Sequence, residues 1–157
     1  MAIYNQIIKL FSTGLYFGYS PIIPGTCGTV PIWIIAYFLI GNQFGGMAMI
    51  VSAIVVTFIS VYLSGKAEKL FGHDAGKIVI DEWAGMLITL IAVPYSLTNY
   101  VIAFIAFRFF DVIKIYPANA AEKLPSGWGV TADDVIAGIQ ACLITHLTIY
   151  LINNYIS

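Results

Sequence analysis

This chain of 157 residues has very little charge. Only 10% of its residues are charged while 60% are apolar, and the mean hydropathy is +0.90. Soluble domains carry about 25% charged residues, so this composition predicts a membrane protein. The net charge of −1 lacks the basic field that nucleic-acid binding requires, and we expect no nucleic-acid partner. The length predicts a single domain, residues 1–157.

Cysteine is scarce too, and no secretory leader is evident. Cys27 and Cys142 belong to no CxxC or Cys/His pattern, so neither a disulfide framework nor a zinc site is predicted. Residues 1–11 have no uninterrupted apolar run before a small-residue cleavage site, so we expect no signal peptide. Residues 3–11 instead place Ile3, Ile7 and Phe11 on one helical face. This spacing predicts a short helix on the membrane surface.

The first half of the chain contains a long tract without charge. No charged side chain occurs from residue 10 to residue 65. Proline and glycine are frequent in 12–29, which predicts a shaped loop. Apolar runs over 30–40 and 47–64 then predict two antiparallel helices, of which the second is long enough to cross a bilayer.

A second uncharged tract, residues 83–107, is interrupted at 94–99 by a sequence beginning with proline. It is too short for two full spans and rather long for one, so it predicts two short or tilted helices that enter and return. A helix over 135–152 closes the chain, with 131–134 as its capping sequence. The predicted fold class is therefore an all-α, polytopic membrane protein with about five embedded helices, some shorter than a full span.

The basic residues define the predicted orientation. All seven lysines and arginines fall within 1–11, 65–82 and 108–134. Because basic residues favour the cytoplasmic side, these three segments are predicted to face the cytoplasm. The polar loops then share one side of the membrane, and a functional site assembled from them is geometrically possible.

Asp81 and Glu82 stand directly before the uncharged tract. Carboxylates at the edge of an apolar medium are costly unless they are paired or hold a cation, so they indicate a functional site. The alternative is that they are solvated acids in the first turn of a helix, stabilised by its dipole. His73 and His146 form no comparable pair, and His146 is expected to be a buried, hydrogen-bonded or pore-facing residue.

Arg108, Asp111 and Lys114 recur every third residue and are predicted to share one helical face. Such a pattern is also typical of surface ion pairs worth only tenths of a kcal/mol. Here the helix leaves an apolar segment, so a site for a cation and a phosphate fits better. Hard cations such as Mg²⁺ bind through one or two carboxylates and substrate phosphate oxygens, while Arg and Lys neutralise developing charge.

Two further segments could contribute to such a site. Asp133 and Asp134 have an equally good alternative as acids in the first turn of the last helix, and which of the two acts stays open. Pro24, Gly25 and Thr26 could lend backbone N–H groups to an anion, although a glycine turn is the more common use of such a sequence.

These motifs together resemble the phosphatidylglycerophosphatase A family, whose members remove the phosphate from phosphatidylglycerophosphate in the bacterial inner membrane. The residues that carry the resemblance are 20–29 (SPIIPGTCGT), 78–85 (IVIDEWAG), 108–114 (RFFDVIK) and 127–134 (GWGVTADD). The resemblance runs nearly end to end. It implies a helical fold, a phospholipid substrate, an Mg²⁺ requirement and a multi-pass protein of the inner membrane with its active site facing the cytoplasm.

The predicted site follows from these motifs. The predicted Mg²⁺ ligands are Asp81, Glu82 and Asp111, with Asp74 and Asp134 as further candidates. Arg108 and Lys114 are predicted to stabilise charge during attack by a metal-activated water. The predicted substrate-binding residues are Pro24, Gly25, Thr26 and Lys77. An acyl phosphate on Asp81 or Glu82 is the alternative mechanism.

Other phosphatase classes do not fit the sequence. Neither cysteine has an arginine five residues later, and the DxDx[TV] pattern of haloacid-dehalogenase phosphatases is absent. Trp128 stands where lipid phosphatases with a PSGH motif have their histidine. A small transporter or channel is the alternative function, since polar residues and short helices within a membrane also mark transporters. The lipid specificity, the number of metal ions and the oligomeric state stay open.

Overall fold

A computed structural model describes residues 2–41, 45–72 and 75–155. The chain is 80% helical with no strands in these residues, which confirms the predicted all-α class. The helices are α1 (Ala2–Ser12), α2 (Pro24–Ile35, continued as a π-helix over Ala36–Gly41), α3 (Gly45–Phe71), α4 (Ile80–Thr89), α5 (Leu97–Ile113), α6 (Ala118–Ala121) and α7 (Gly127–Tyr155).

Among the described residues, three segments are long and apolar enough to cross a membrane: Pro24–Gly41, Gly46–Phe71 and Gly127–Tyr155. Between them lies the pair formed by α4 and α5, which matches the predicted short helices on either side of the turn at 94–99. At 1.5 Å per residue, α4 is about 15 Å long, half the hydrocarbon thickness. Residues 3–11 are helical in α1 as predicted, and the Ile3, Ile7 and Phe11 side chains are exposed, while the place of this helix on the membrane surface stays a prediction.

Helix α4 is the centre of the packing. It contacts α7, α3 and α2, and Ala84, Met86 and Leu87 on it are fully buried. A Cβ on Gly138 of α7 would lie only 3.0 Å from the Cα of Gly85 of α4, so glycine at this crossing permits close backbone contact. This contact brings the start of α4 beside the part of α7 that carries Asp134, whose carbonyl oxygen would lie 2.6 Å from a Cβ on Gly85.

The sequence predicted a loop over all of 12–29, but only the first part of this segment lies outside the long helices. Helix α2 already begins at Pro24, which occupies a first-turn position where proline's missing N–H costs nothing. Gly25 and Thr26 are therefore helical residues. Helix α3 likewise continues beyond residue 64 to Phe71.

The predicted capping role of residues 131–134 is also wrong. Helix α7 begins at Gly127, where a Cβ would lie 2.6 Å from the backbone N of Gly65 on α3. This close packing extends the helix by a turn. Thr131 is thus inside the helix, where its hydroxyl hydrogen-bonds that of Ser60 at 2.8 Å.

Candidate active site

One cavity gathers most of the charged side chains that the sequence predicted to be functional. It has a volume of about 280 Å³ and is lined by residues of α2, α4, α5 and α7 and of adjoining loops. We call it the acidic cavity, because five carboxyl groups and two basic groups line it. These are Asp81, Glu82, Arg108, Asp111, Lys114, Asp133 and Asp134.

Most of the predicted site residues lie here, but Thr26 and Lys77 do not. Pro24 and Gly25 line the acidic cavity together with the charged residues. Thr26 and Lys77 are not among its lining residues, although Gly76 and Ile78 on either side of Lys77 are. The predicted ligand Asp74 lies outside the described residues.

Asp81 and Glu82 occupy the first turn of α4 and are only 7% and 8% exposed. The N–H of Glu82 donates to Asp81 Oδ1 at 3.0 Å. The positive end of the helix dipole stabilises both carboxylates here. The alternative of solvated acids at a helix end does not hold, because both side chains are buried.

Glu82 is held by two donors. The Thr29 hydroxyl makes a short hydrogen bond to Glu82 Oε2, and Arg108 Nη1 donates to the same oxygen at 2.8 Å. Thr29 was not predicted to act through its side chain. It lies four residues after Gly25, which is one helical turn, so the shared face becomes visible only once α2 is extended to Pro24.

Gly25 leaves the space that this pair occupies. A Cβ at this position would overlap Glu82 Oε1 and lie 2.8 Å from Arg108 Nη2. Glycine is therefore required by the close approach of two charged side chains to the first turn of α2. The predicted anion-binding role of this segment stays a prediction, and the structure adds this steric role for Gly25.

The two basic residues each bridge two acids. Arg108 Nη1 lies 2.8 Å from Glu82 Oε2 and 2.7 Å from Asp111 Oδ2. Lys114 Nζ lies 2.7 Å from Asp133 Oδ2 and 3.2 Å from an oxygen of Glu122, which the sequence had not indicated.

The sequence predicted that Lys114 shares a helical face with Arg108 and Asp111, and this prediction is wrong. Helix α5 ends at Ile113, and Lys114 follows in a left-handed conformation with φ 48°. This change of direction turns Lys114 toward Asp133. Asp134, the neighbour of Asp133 on α7, instead interacts with Asp111 and Asp81.

Crowding and burial shift the protonation of the acids that lie outside the spanning helices. Burial raises the pKa of Glu82 to about 7, although Arg108 lowers it, with Asp111 raising it further. Burial, then the charges of Glu82 and Asp133, hold the pKa of Asp81 well above its usual range. Burial alone would lower the pKa of Lys114, but Asp133 and Glu122 outweigh burial and raise it. The carboxyl groups of the cavity outnumber its basic groups.

The donor chemistry fits a hard divalent cation. Asp133 Oδ1 is buried without a hydrogen-bond partner, and five carboxyl groups outnumber two basic groups. No three His, Cys, Asp or Glu side chains within the described ranges form a ready metal cluster. Mg²⁺ does not need one, because it keeps several waters and typically takes one or two carboxylates plus substrate phosphate oxygens.

Three residues outside the acidic cavity agree with what the sequence predicted. His146 is half-buried, and its Nε2 forms a hydrogen bond with the carbonyl oxygen of Ile91 at 3.0 Å, which matches the expected hydrogen-bonded histidine. Cys27 and Cys142 are both free thiols.

Comparison with known proteins gives a consistent result. The family model described as phosphatidylglycerophosphatase A matches residues 10–149. A phosphatidylglycerophosphatase A of Escherichia coli K12 is 36% identical over 136 residues, covering 83% of this chain and 76% of its own length. One from Haemophilus influenzae is 34% identical over 140 residues, covering 87% and 85%.

A third relative has a different name. A candidate phosphatidylinositol-3-phosphatase of Bacteroides thetaiotaomicron is 36% identical over 143 residues, covering 86% of this chain and 89% of its own. No solved structure matches the chain. The names of the relatives have in common a phosphate ester carried by a phospholipid.

Proposed function

Because this chain belongs to the phosphatidylglycerophosphatase A family, we propose that it hydrolyses phosphatidylglycerophosphate to phosphatidylglycerol and phosphate. The observation that carries the proposal is the acidic cavity, where buried carboxyl groups and two basic groups meet at one end of apolar helices. A phospholipid headgroup can reach such a cavity while its acyl chains stay in the bilayer. The transporter alternative has no comparable support.

Arg108 and Lys114 bind the phosphate in this proposal. Both basic groups line the cavity, and each is held in place by two carboxylates. A guanidinium presents a rigid fork of donors to phosphate oxygens, and an ammonium adds a compact charge. A phosphomonoester offers these groups one more anionic oxygen than a phosphodiester, so the cavity selects monoesters.

The residues that would hold Mg²⁺ are Asp81, Glu82, Asp111 and Asp134. When bound, Mg²⁺ supplies neutralisation of phosphate charge and a more acidic water. Water then attacks the terminal phosphorus in line, the bond to the glycerol oxygen breaks, and that oxygen takes up a proton. Thr29 and Arg108 keep the Glu82 carboxylate in place throughout.

The site is proposed to face the cytoplasm from the bacterial inner membrane. Two basic residues, Arg108 and Lys114, line the acidic cavity. Two more, Lys77 and Lys123, lie in connecting segments at the same end of the molecule. A concentration of basic residues on one side favours the cytoplasmic face.

Phosphate release from purified protein in mixed micelles tests the function. Phosphatidylglycerophosphate should be hydrolysed with Mg²⁺ and not after chelation, and a phosphodiester lipid should not be cleaved. Phosphatidylinositol 3-phosphate should be measured beside it, because one relative is named for that lipid. If phosphatidylinositol 3-phosphate were cleaved and phosphatidylglycerophosphate were not, the substrate would be reassigned.

The metal requirement needs a measurement that is independent of turnover. Binding of Mn²⁺, a spectroscopic substitute for Mg²⁺, can be followed by electron paramagnetic resonance in the wild type and in Asp111→Asn. The variant should bind Mn²⁺ more weakly, and Glu68→Gln, which changes an acid outside the acidic cavity, should bind it normally. A phosphoenzyme trapped by acid quench would instead favour the acyl-phosphate mechanism.

A further inference from the structure

Two lysines rest on a pair of aromatic rings beside the acidic cavity. Lys77 Nζ lies 5.1 Å from the ring centroid of Tyr19, and Lys9 Nζ lies 5.8 Å from that of Phe71. The two rings meet edge to face with centroids 6.4 Å apart. We call these four residues the lysine–aromatic cluster. It joins α1, the turn after it, the end of α3 and the segment before α4.

The cluster adjoins the entrance of the acidic cavity. Lys77 is exposed, and its chain neighbours Gly76 and Ile78 both line the cavity. The backbone here is fixed, because a Cβ on Gly18 would lie 3.1 Å from the carbonyl carbon of Lys77. The turn that carries Tyr19 is therefore packed directly against Lys77.

The surroundings of the cluster are apolar and exposed. Ile22 is 84% exposed, and Tyr16 and Phe17 of the same turn are about half exposed. Exposed aromatic and apolar side chains next to lysines are typical of the headgroup level of a bilayer. The cluster therefore has the composition expected at the level of the lipid phosphodiester.

The proposed substrate carries a second phosphate. Phosphatidylglycerophosphate carries a terminal phosphomonoester and, one glycerol away, the phosphodiester that links it to its acyl chains. When the monoester is in the acidic cavity, the phosphodiester remains at the entrance. A lysine ammonium has three N–H donors, so one side of it can contact an aromatic ring while the opposite side donates to an anion.

We propose that the lysine–aromatic cluster is a second phosphate site, in which Lys77 binds the phosphodiester of the lipid headgroup and Lys9 reinforces its positive field. This inference rests on the proposed function and adds to it how the headgroup is positioned. The alternative is that the two lysines attract any anionic surface without binding a particular phosphate.

Kinetics of Lys77→Met in neutral mixed micelles test the site. The KM for phosphatidylglycerophosphate should rise about tenfold, because a hydrogen bond to a charged group is lost, while kcat stays within about twofold. The matched control is Lys66→Met, since Lys66 also rests on a ring, that of Tyr62 at 5.5 Å, but does not adjoin the cavity. It should leave KM unchanged.

Inhibitors separate the two phosphate sites. Phosphatidylglycerol carries only the phosphodiester, and its inhibition should weaken in Lys77→Met. Inorganic phosphate should inhibit the wild type and Lys77→Met equally. Oleate, an anionic amphiphile without phosphate, should also inhibit the wild type and Lys77→Met equally. If Lys77→Met weakened inhibition by oleate as much as inhibition by phosphatidylglycerol, the lysine would attract any anion, and the proposal would be overturned.

Thermal stabilisation by phosphatidylglycerol provides a readout that needs no turnover. It should be smaller in Lys77→Met than in the wild type and in Lys66→Met. If the wild type releases no phosphate, the proposed function fails, while this difference still decides the second site. An unchanged KM and unchanged stabilisation in Lys77→Met would overturn it.

Discussion

Two cavities of similar size lie at opposite ends of the α4–α5 pair. The acidic cavity, about 280 Å³, adjoins the start of α4 and the end of α5, and the second, about 220 Å³, adjoins the end of α4 and the start of α5. We call the second one the far cavity. The described residues that line it are all uncharged: Gly41, Gly46, Met49, Leu90, Ala92, Val93, Tyr95 and Tyr100.

The contrast lies in how each end is stabilised. Around the far cavity, Tyr95 stacks on Tyr37 at 4.8 Å and Tyr100 meets Tyr37 edge on at 5.2 Å, which are contacts expected of a packed core. At the other end, carboxylates are buried at a cost that packing does not repay. Size therefore does not identify the functional cavity, whereas buried charge that packing leaves unexplained does.

The largest effect is expected from removing one charge of the acidic cavity. Asp111→Asn keeps the shape of the side chain but removes charge from the proposed cation site and from the partner of Arg108. Phosphate release should fall on the order of 10³-fold, as when a group that stabilises transition-state charge is lost. Tyr95→Phe in the far cavity is the control and should retain full turnover. Near-normal turnover of Asp111→Asn with saturating Mg²⁺ would remove Asp111 from the site.

A pair of glycine substitutions compares the cavities directly. In Gly25→Ala the new methyl group meets Glu82 and Arg108, whereas a Cβ at Gly46 in the far cavity meets nothing within 4 Å. We expect Gly25→Ala to lower turnover by about 10²-fold through displaced charges, a loss typical of misplaced catalytic groups. Gly46→Ala should be as active as the wild type. Equal turnover in both variants would refute the steric role of Gly25.

The hydroxyl of Thr29 should have a smaller effect. Thr29→Val keeps the shape but leaves Glu82 with Arg108 as its remaining side-chain donor. Turnover should fall about 10- to 100-fold, as when an outer partner of a ligand is removed. Thr29→Ser retains the hydroxyl and should restore most of the activity. A serine variant as poor as the valine variant would point to packing and not to the hydrogen bond.

Much of this arrangement was predictable because charge is so rare in the chain. Charged side chains in an apolar protein are costly unless they are paired, so the motifs that carry Asp81, Glu82, Arg108 and Asp111 could be expected to lie close together. The helix start at Gly127 was not predictable from local sequence, because it depends on backbone packing against Gly65. The turn of Lys114 toward Asp133 depends on a left-handed residue that follows no sequence rule.

Stability of the metal-free protein should depend on pH through Glu82. Its pKa is raised from 4.5 to about 7 mainly by burial, so folding favours the protonated form. The contribution of Glu82 to the free energy of unfolding is fully present below pH 4.5 and is lost as pH rises through about 7. The melting temperature in detergent should therefore fall over this range, and Glu82→Gln should flatten the fall. A fall that is identical in Glu82→Gln would assign it to other groups.

The most direct test of the central claim, that phosphate binds in the acidic cavity, is protection of single cysteines from maleimide. In a background with Cys27 and Cys142 replaced by alanine, Val112→Cys reports on the acidic cavity, whose Val112 side chain is 70% exposed. Gly46→Cys reports on the far cavity. With Mg²⁺, inorganic phosphate should slow labelling of Val112→Cys and leave Gly46→Cys unaffected. Protection of Gly46→Cys alone would contradict the account.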